Sequence, residues 1–93
     1  MADPAHRNSP QSKPLGEARR GFRGRLHAIR VSNPASGVTA AELEARLMEL
    51  GCVEGASIEV LHEGTFGRDP IAVRVDGATV ALRRREAMAI LVT

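Results

Sequence analysis

The sequence predicts a mainly β domain: a small, strongly bent antiparallel barrel of about five strands with one inserted α-helix, preceded by a disordered N-terminal tail. Three observations predict it. Between Ser57 and Leu82 the large apolar residues fall at every second position, as Ile58 and Val60, then Ile71, Val73 and Val75, then Val80 and Leu82, with Glu59 and Arg74 between them. That is the period of a sheet with one buried and one wet face. Asp76-Gly77 stands between two such runs, and Asp-Gly is a strong hairpin signal because both central residues of a type I′ turn need positive φ. One stretch, opening at Thr39, has instead the period of an amphipathic helix.

In chain order, Met1 to about Leu15 carries Pro4, Pro10 and Pro14 among polar residues and almost no large apolar side chains, so it cannot bury enough surface to offset its ordering entropy. Residues 1–20 are therefore expected to form a disordered tail and residues 21–93 the folded domain. Arg19 to Arg25 reads as a solvated basic lead-in. Leu26 to Val31 alternates loosely and predicts a first strand with His27, Ile29 and Val31 on one side, ended by Ser32-Asn33-Pro34.

Thr39 followed by Glu42 predicts a capping box, with Val38 and Leu43 as a hydrophobic staple. Ala40, Leu43, Leu47 and Leu50 then line one face, Glu42 and Arg46 form an i, i+4 pair on the other, and Gly51 ends the helix. Such a helix is expected to close the open end of a short barrel. Gly64 to Pro70, with two glycines and a proline, predicts a loop between the second and third strands. After Leu82, Arg83 to Ala89 suits a single helical turn, which lets Ile90-Leu91-Val92 return beside the first strand. The expected product is an SH3-like barrel.

With no Trp, no Tyr and two Phe among 93 residues, the core has to be filled by Val, Ile, Leu and Ala. The formal net charge of +2 divides unevenly, +4 in residues 1–25 and −2 in the rest, so the barrel itself offers little attraction for nucleic acid. A lone cysteine forms no internal disulfide and is compatible with a reducing compartment, and no stretch is long and apolar enough to span a bilayer. A cytoplasmic protein is expected.

No catalytic constellation stands out. A Cys-His pair would need Cys52 beside His27 or His62 with a third, orienting group, and no spacing supplies one; the chain is not expected to be an enzyme. Cys52, His62 and Glu63 have the right chemistry for a transition metal such as Fe2+, but no CxxC, HxxxH or HxH spacing accompanies them, so they are weak candidates beside the plainer roles of a buried small side chain and strand-edge polar groups. The loop Gly64 to Pro70 presents Phe66 beside Arg68 and Asp69. Phe66 either folds back to close the barrel mouth or stands out as a docking anchor, and we favour Phe66, Arg68 and Asp69 as a partner-binding surface.

The run Glu49-Leu50-Gly51-Cys52-Val53-Glu54-Gly55-Ala56-Ser57-Ile58-Glu59-Val60-Leu61 resembles the FeoA family of bacterial ferrous iron transport, in which a helix ending in Leu-Gly is followed by a glycine-containing bend and an I-x-V strand. The resemblance continues through Asp69-Pro70, Ile71 to Asp76-Gly77, Val80 to Arg83, Glu86-Ala87 and Ile90-Leu91-Val92, and covers roughly Phe22 to the C-terminus. It implies an SH3-like barrel and an accessory role at the cytoplasmic part of FeoB, the membrane iron transporter, peripheral to the inner membrane through that partner. The protein itself would be a monomer or weakly self-associating. Transition-metal binding is also implied at family level. The same domain closes iron-dependent repressors, but no helix-turn-helix precedes it here. The alternative is a small barrel that binds nucleic acid through its arginine-rich N-terminal segment, and steep salt dependence would mark it.

Overall fold

The computed structural model describes residues 12–31, 39–65 and 67–93. It consists of β1 (Lys13–Pro14), a 3₁₀ turn (Leu15–Glu17), β2 (Arg23–Ile29), α1 (Ala40–Glu49), β3 (Ser57–Glu63), β4 (Ile71–Val75), β5 (Ala78–Leu82), α2 (Arg84–Ala87) and β6 (Ile90–Val92). The strands form one antiparallel sheet in the order β1-β6-β2-β3-β4-β5. Long β2 bridges its two halves, pairing with β3 through Arg23–Arg25 and with β6 through Leu26–Ile29. Ile58, Val60, Ile71, Val73, Val75, Leu82, Ile90 and Val92 fill the interior, joined by Leu43 and Leu47 of α1.

The predicted hairpin is present: Val75 faces Ala78 across Asp76 (φ 48) and Gly77 (φ 93), both in the left-handed region that a two-residue turn needs. α1 has its capping box, with the Glu42 N–H donating to Thr39 Oγ1 at 3.0 Å and the Thr39 N–H to Glu42 Oε1 at 2.8 Å. At its other end the Cys52 N–H reaches back to the Leu47 carbonyl and the Gly51 N–H to that of Met48, a Schellman closure around Gly51 (φ 95).

Four expectations are corrected. The boundary at residues 20/21 moves towards the N-terminus, because Leu15 is 0% exposed, Ala18 3%, and Lys13–Pro14 pairs with Leu91–Val92. Lys13–Pro14 brings the described strands of the expected barrel to six. Gly16 lets the segment lie flat on α2: a Cβ there would sit 2.5 Å from the Arg84 carbonyl oxygen and 2.7 Å from the Met88 sulfur. The basic lead-in is itself strand from Arg23, and a bulge between Leu26 and Ala28 resets the alternation, so Leu26 is the core residue of β2 while His27 and Ile29 are half-buried. Ala40 is exposed and Leu50 half-buried, which leaves Leu43 and Leu47 as the buried residues of α1. Arg46 pairs with Glu86 of α2 rather than with Glu42, which Thr39 holds. The tail before residue 12, the Ser32-Asn33-Pro34 break and the Val38 staple lie outside the described residues.

Candidate functional site

The loop from Gly64 to Pro70 joins β3 to β4 and is tied at its base, where the Gly64 N–H donates to the Pro70 carbonyl at 2.9 Å. Its far side is fastened by Arg84, the first residue of α2. The Arg84 guanidinium donates from Nε to the Arg68 carbonyl at 2.7 Å, from Nη1 to the carbonyls of Gly16 and Ala18 at 2.9 and 2.8 Å, and from Nη2 to Glu63 Oε2 at 2.5 Å. The Arg84 backbone N–H donates to Asp69 Oδ1 at 2.9 Å, so the Asp69 carboxylate sits on the N-terminal turn of α2. Arg68 adopts a left-handed φ of 58. The planar, multi-donor guanidinium is suited to such a node, in which one side chain reaches three chain segments at once. With 18% and 20% of their side chains exposed, Arg84 and Glu63 form an ion pair far less screened than a surface pair.

This geometry sorts the candidate partner-binding residues. Arg68 is exposed with its carbonyl anchored, Asp69 is half-buried and engaged at α2, and Phe66 lies outside the described residues. The three metal candidates are not brought together. Cys52 is fully buried behind α1, and burial pushes its thiol pKa up, which disfavours the thiolate a metal needs. His62 is exposed on β3, and Glu63 is taken by Arg84. Among the described residues no three His, Cys, Asp or Glu side chains are placed to hold a metal ion. The described residues do not fit a metal centre.

Arg84 was invisible to a search for charged chemistry because most of its partners are backbone carbonyls. One signal was available. It stands three residues before Ala87, the buried residue of the turn, and so on the same helical face.

The arginines of the lead-in are also partly engaged. Glu59 on β3 pairs with Arg23 at 3.3 Å and Arg74 at 3.2 Å, its cross-strand neighbours, and Arg25 donates to the Gly55 carbonyl at 2.9 Å. Lys13 lies 5.1 Å from the centre of the Phe22 ring. A second surface feature is an open cleft of about 270 Å³ between β2 and α1, lined by Leu26, Ala28, Ile29, Met48, Cys52 and Val53 with Glu44 and Glu54 beside them. No helix among the described residues is long and apolar enough to cross a membrane.

A family model described as the FeoA domain matches residues 13–93, a span that begins at β1. Among solved structures, the chain is similar to the FeoA protein of Chlorobium tepidum, with 34% identity, a TM-score of 0.68 and coverage of 85% of this chain and 67% of that one. It is similar also to a zinc-complexed FeoA of Stenotrophomonas maltophilia, described as an SH3 domain protein and a candidate ferrous iron transport activating factor, with 25% identity, TM-score 0.68 and coverage of 86% and 88%. A manganese-dependent transcriptional repressor shares the fold at 26% identity and TM-score 0.73, with 91% of this chain aligned to 42% of that one. No curated protein matches the chain.

Proposed function

The chain belongs to the FeoA domain family, and from that premise we propose that it is an accessory protein of bacterial ferrous iron transport, a non-enzymatic interaction module that docks in the cytoplasm on an FeoB-type transporter. The observation that carries the docking surface is the Arg84 node. It fastens the far side of the Gly64–Pro70 loop, whose base the Gly64–Pro70 hydrogen bond ties, and leaves the Arg68 side chain exposed. A loop ordered before it meets its partner loses less entropy on binding than a free one. Phe66 would be the apolar anchor of this surface and Arg68 its charge, while Asp69 positions the loop.

The Stenotrophomonas relative, described as a candidate activating factor, supports the pathway. Its zinc is not carried over to this chain, because among the described residues no three His, Cys, Asp or Glu side chains are placed to hold one. Binding of the purified chain to transporter-containing membranes tests the proposal. Phe66→Ala and Arg68→Glu are each expected to weaken binding by about 1–3 kcal/mol with an unchanged melting temperature. Folded variants that bind at the wild-type level would remove the loop from the docking surface.

A further inference from the structure

β5 is an edge strand, and its character is unusual for one. It ends the sheet order, and no described residue pairs with its outer side. In a two-residue hairpin the pair flanking the turn is hydrogen-bonded and bonded pairs then alternate, so Ala78, Val80 and Leu82 direct their backbone groups to β4 while those of Thr79 and Ala81 point outward. Natural sheets protect such an edge with lysine, proline, a bulge or a covering element. Here the strand reads Ala-Thr-Val-Ala-Leu, is regular in register, and is exposed at Ala78, Thr79 and Ala81. Val80 packs against the core yet is only half-buried.

We propose that β5 is the contact through which two copies of this chain associate, pairing antiparallel about Val80. The charges select this occupant. Asp76 precedes the strand, while the exposed Arg83 follows it in a still extended conformation (φ −74, ψ 146). An antiparallel pair centred on Val80 sets the other copy's Arg83 opposite Gly77, one residue from Asp76, whereas a parallel in-register pair would set Asp76 beside Asp76 and Arg83 beside Arg83. Centred on Val80, the register makes Thr79 of each copy the hydrogen-bonded partner of the other's Ala81. The two Val80 side chains then meet on the core face and cover one another, joining two sheets into one. The interface is isologous and small, so the association is concentration-dependent.

The register is testable directly. In this arrangement the two Val80 Cα atoms lie about 4.5 Å apart, the spacing of a non-hydrogen-bonded pair and within the range a disulfide spans, whereas the two Ala78 Cα atoms lie about 14 Å apart. Cys52 is buried and does not compete. Under mild oxidation, Val80→Cys is expected to give a disulfide-linked dimer and Ala78→Cys is not. In sedimentation equilibrium of the full chain, Ala81→Pro removes an outward donor without touching the β4 ladder and should weaken self-association at least tenfold. Thr79→Lys, which charges the edge, should act in the same direction and serves if the proline variant does not fold. A chain that stays monomeric to millimolar concentration overturns the proposal. So does equal cross-linking at positions 78 and 80, or a dimer that persists in the folded edge variants.

Discussion

Removal of the Arg84 guanidinium would leave Glu63 without its partner and three carbonyls, those of Gly16, Ala18 and Arg68, without a donor. Arg84→Ala is therefore expected to destabilise the fold by about 2–4 kcal/mol, and Arg84→Lys, which keeps the charge but not the fork, to recover less than half of that. The shift in urea midpoint measures both. Cys52 gives a pH signature. Burial raises its pKa, so the folded state keeps the thiol proton at a pH where the unfolded chain has released it. Its contribution is fully present below the unfolded thiol's pKa of about 8.5 and is lost as pH rises from there towards the folded value. Between pH 7 and 10 the wild type should lose more stability than Cys52→Ala, as read from urea midpoints. The core role of Cys52 was legible in sequence, since the residue after a helix-ending glycine returns to the interior. Arg84 was not, because its carbonyl partners on the N-terminal segment stand 66 and 68 residues away and backbone groups leave no mark in a sequence.

At the scale of elements, α1 rests on a local device. Thr39→Ala should cost about 1 kcal/mol by releasing the third-position amide, measured by thermal melting. The Thr39 N–H holds the Glu42 carboxyl below its usual range. A depressed folded pKa means a contribution present above the unfolded glutamate value and lost as pH falls through the folded one. The melting-temperature difference between wild type and Glu42→Ala should accordingly shrink in acid. The capping box could be read in advance because its four residues are neighbours, and so could the Asp76-Gly77 hairpin. The Glu42–Arg46 pair could not, since the local capping box already holds Glu42 and Arg46 has a partner that only the fold supplies, Glu86. The facing of β2 departs from its sequence alternation for a related reason. The bulge at His27 is imposed by pairing with β6 at the far end of the chain, and it shifts every residue after Leu26.

At the scale of the molecule, the N-terminal segment decides whether the barrel closes. A chain beginning at residue 21 lacks Leu15, Ala18, β1 and two of the carbonyls that Arg84 binds, and is expected to fail to give a cooperative melt, whereas one beginning at residue 12 should melt like the whole chain. Leu15→Ala in the intact protein should cost about 2–5 kcal/mol by the same measurement. One leucine among prolines and polar residues has no periodicity to betray it. Its burial depends on surfaces formed by α2 and β6, which lie at the opposite end of the sequence. The order β1-β6-β2 also constrains how the protein is born. Translation delivers strands from the N-terminus onward, yet β6, which follows the other five described strands in the chain, lies between the first two. A nascent chain halted before Ile90 could assemble the β3-β4-β5 meander from neighbouring contacts, but β1 would have nothing to lie against and the Leu15 pocket would lack a wall. Closure of the barrel thus waits until Ile90-Leu91-Val92 has been made and fills the gap between β1 and β2.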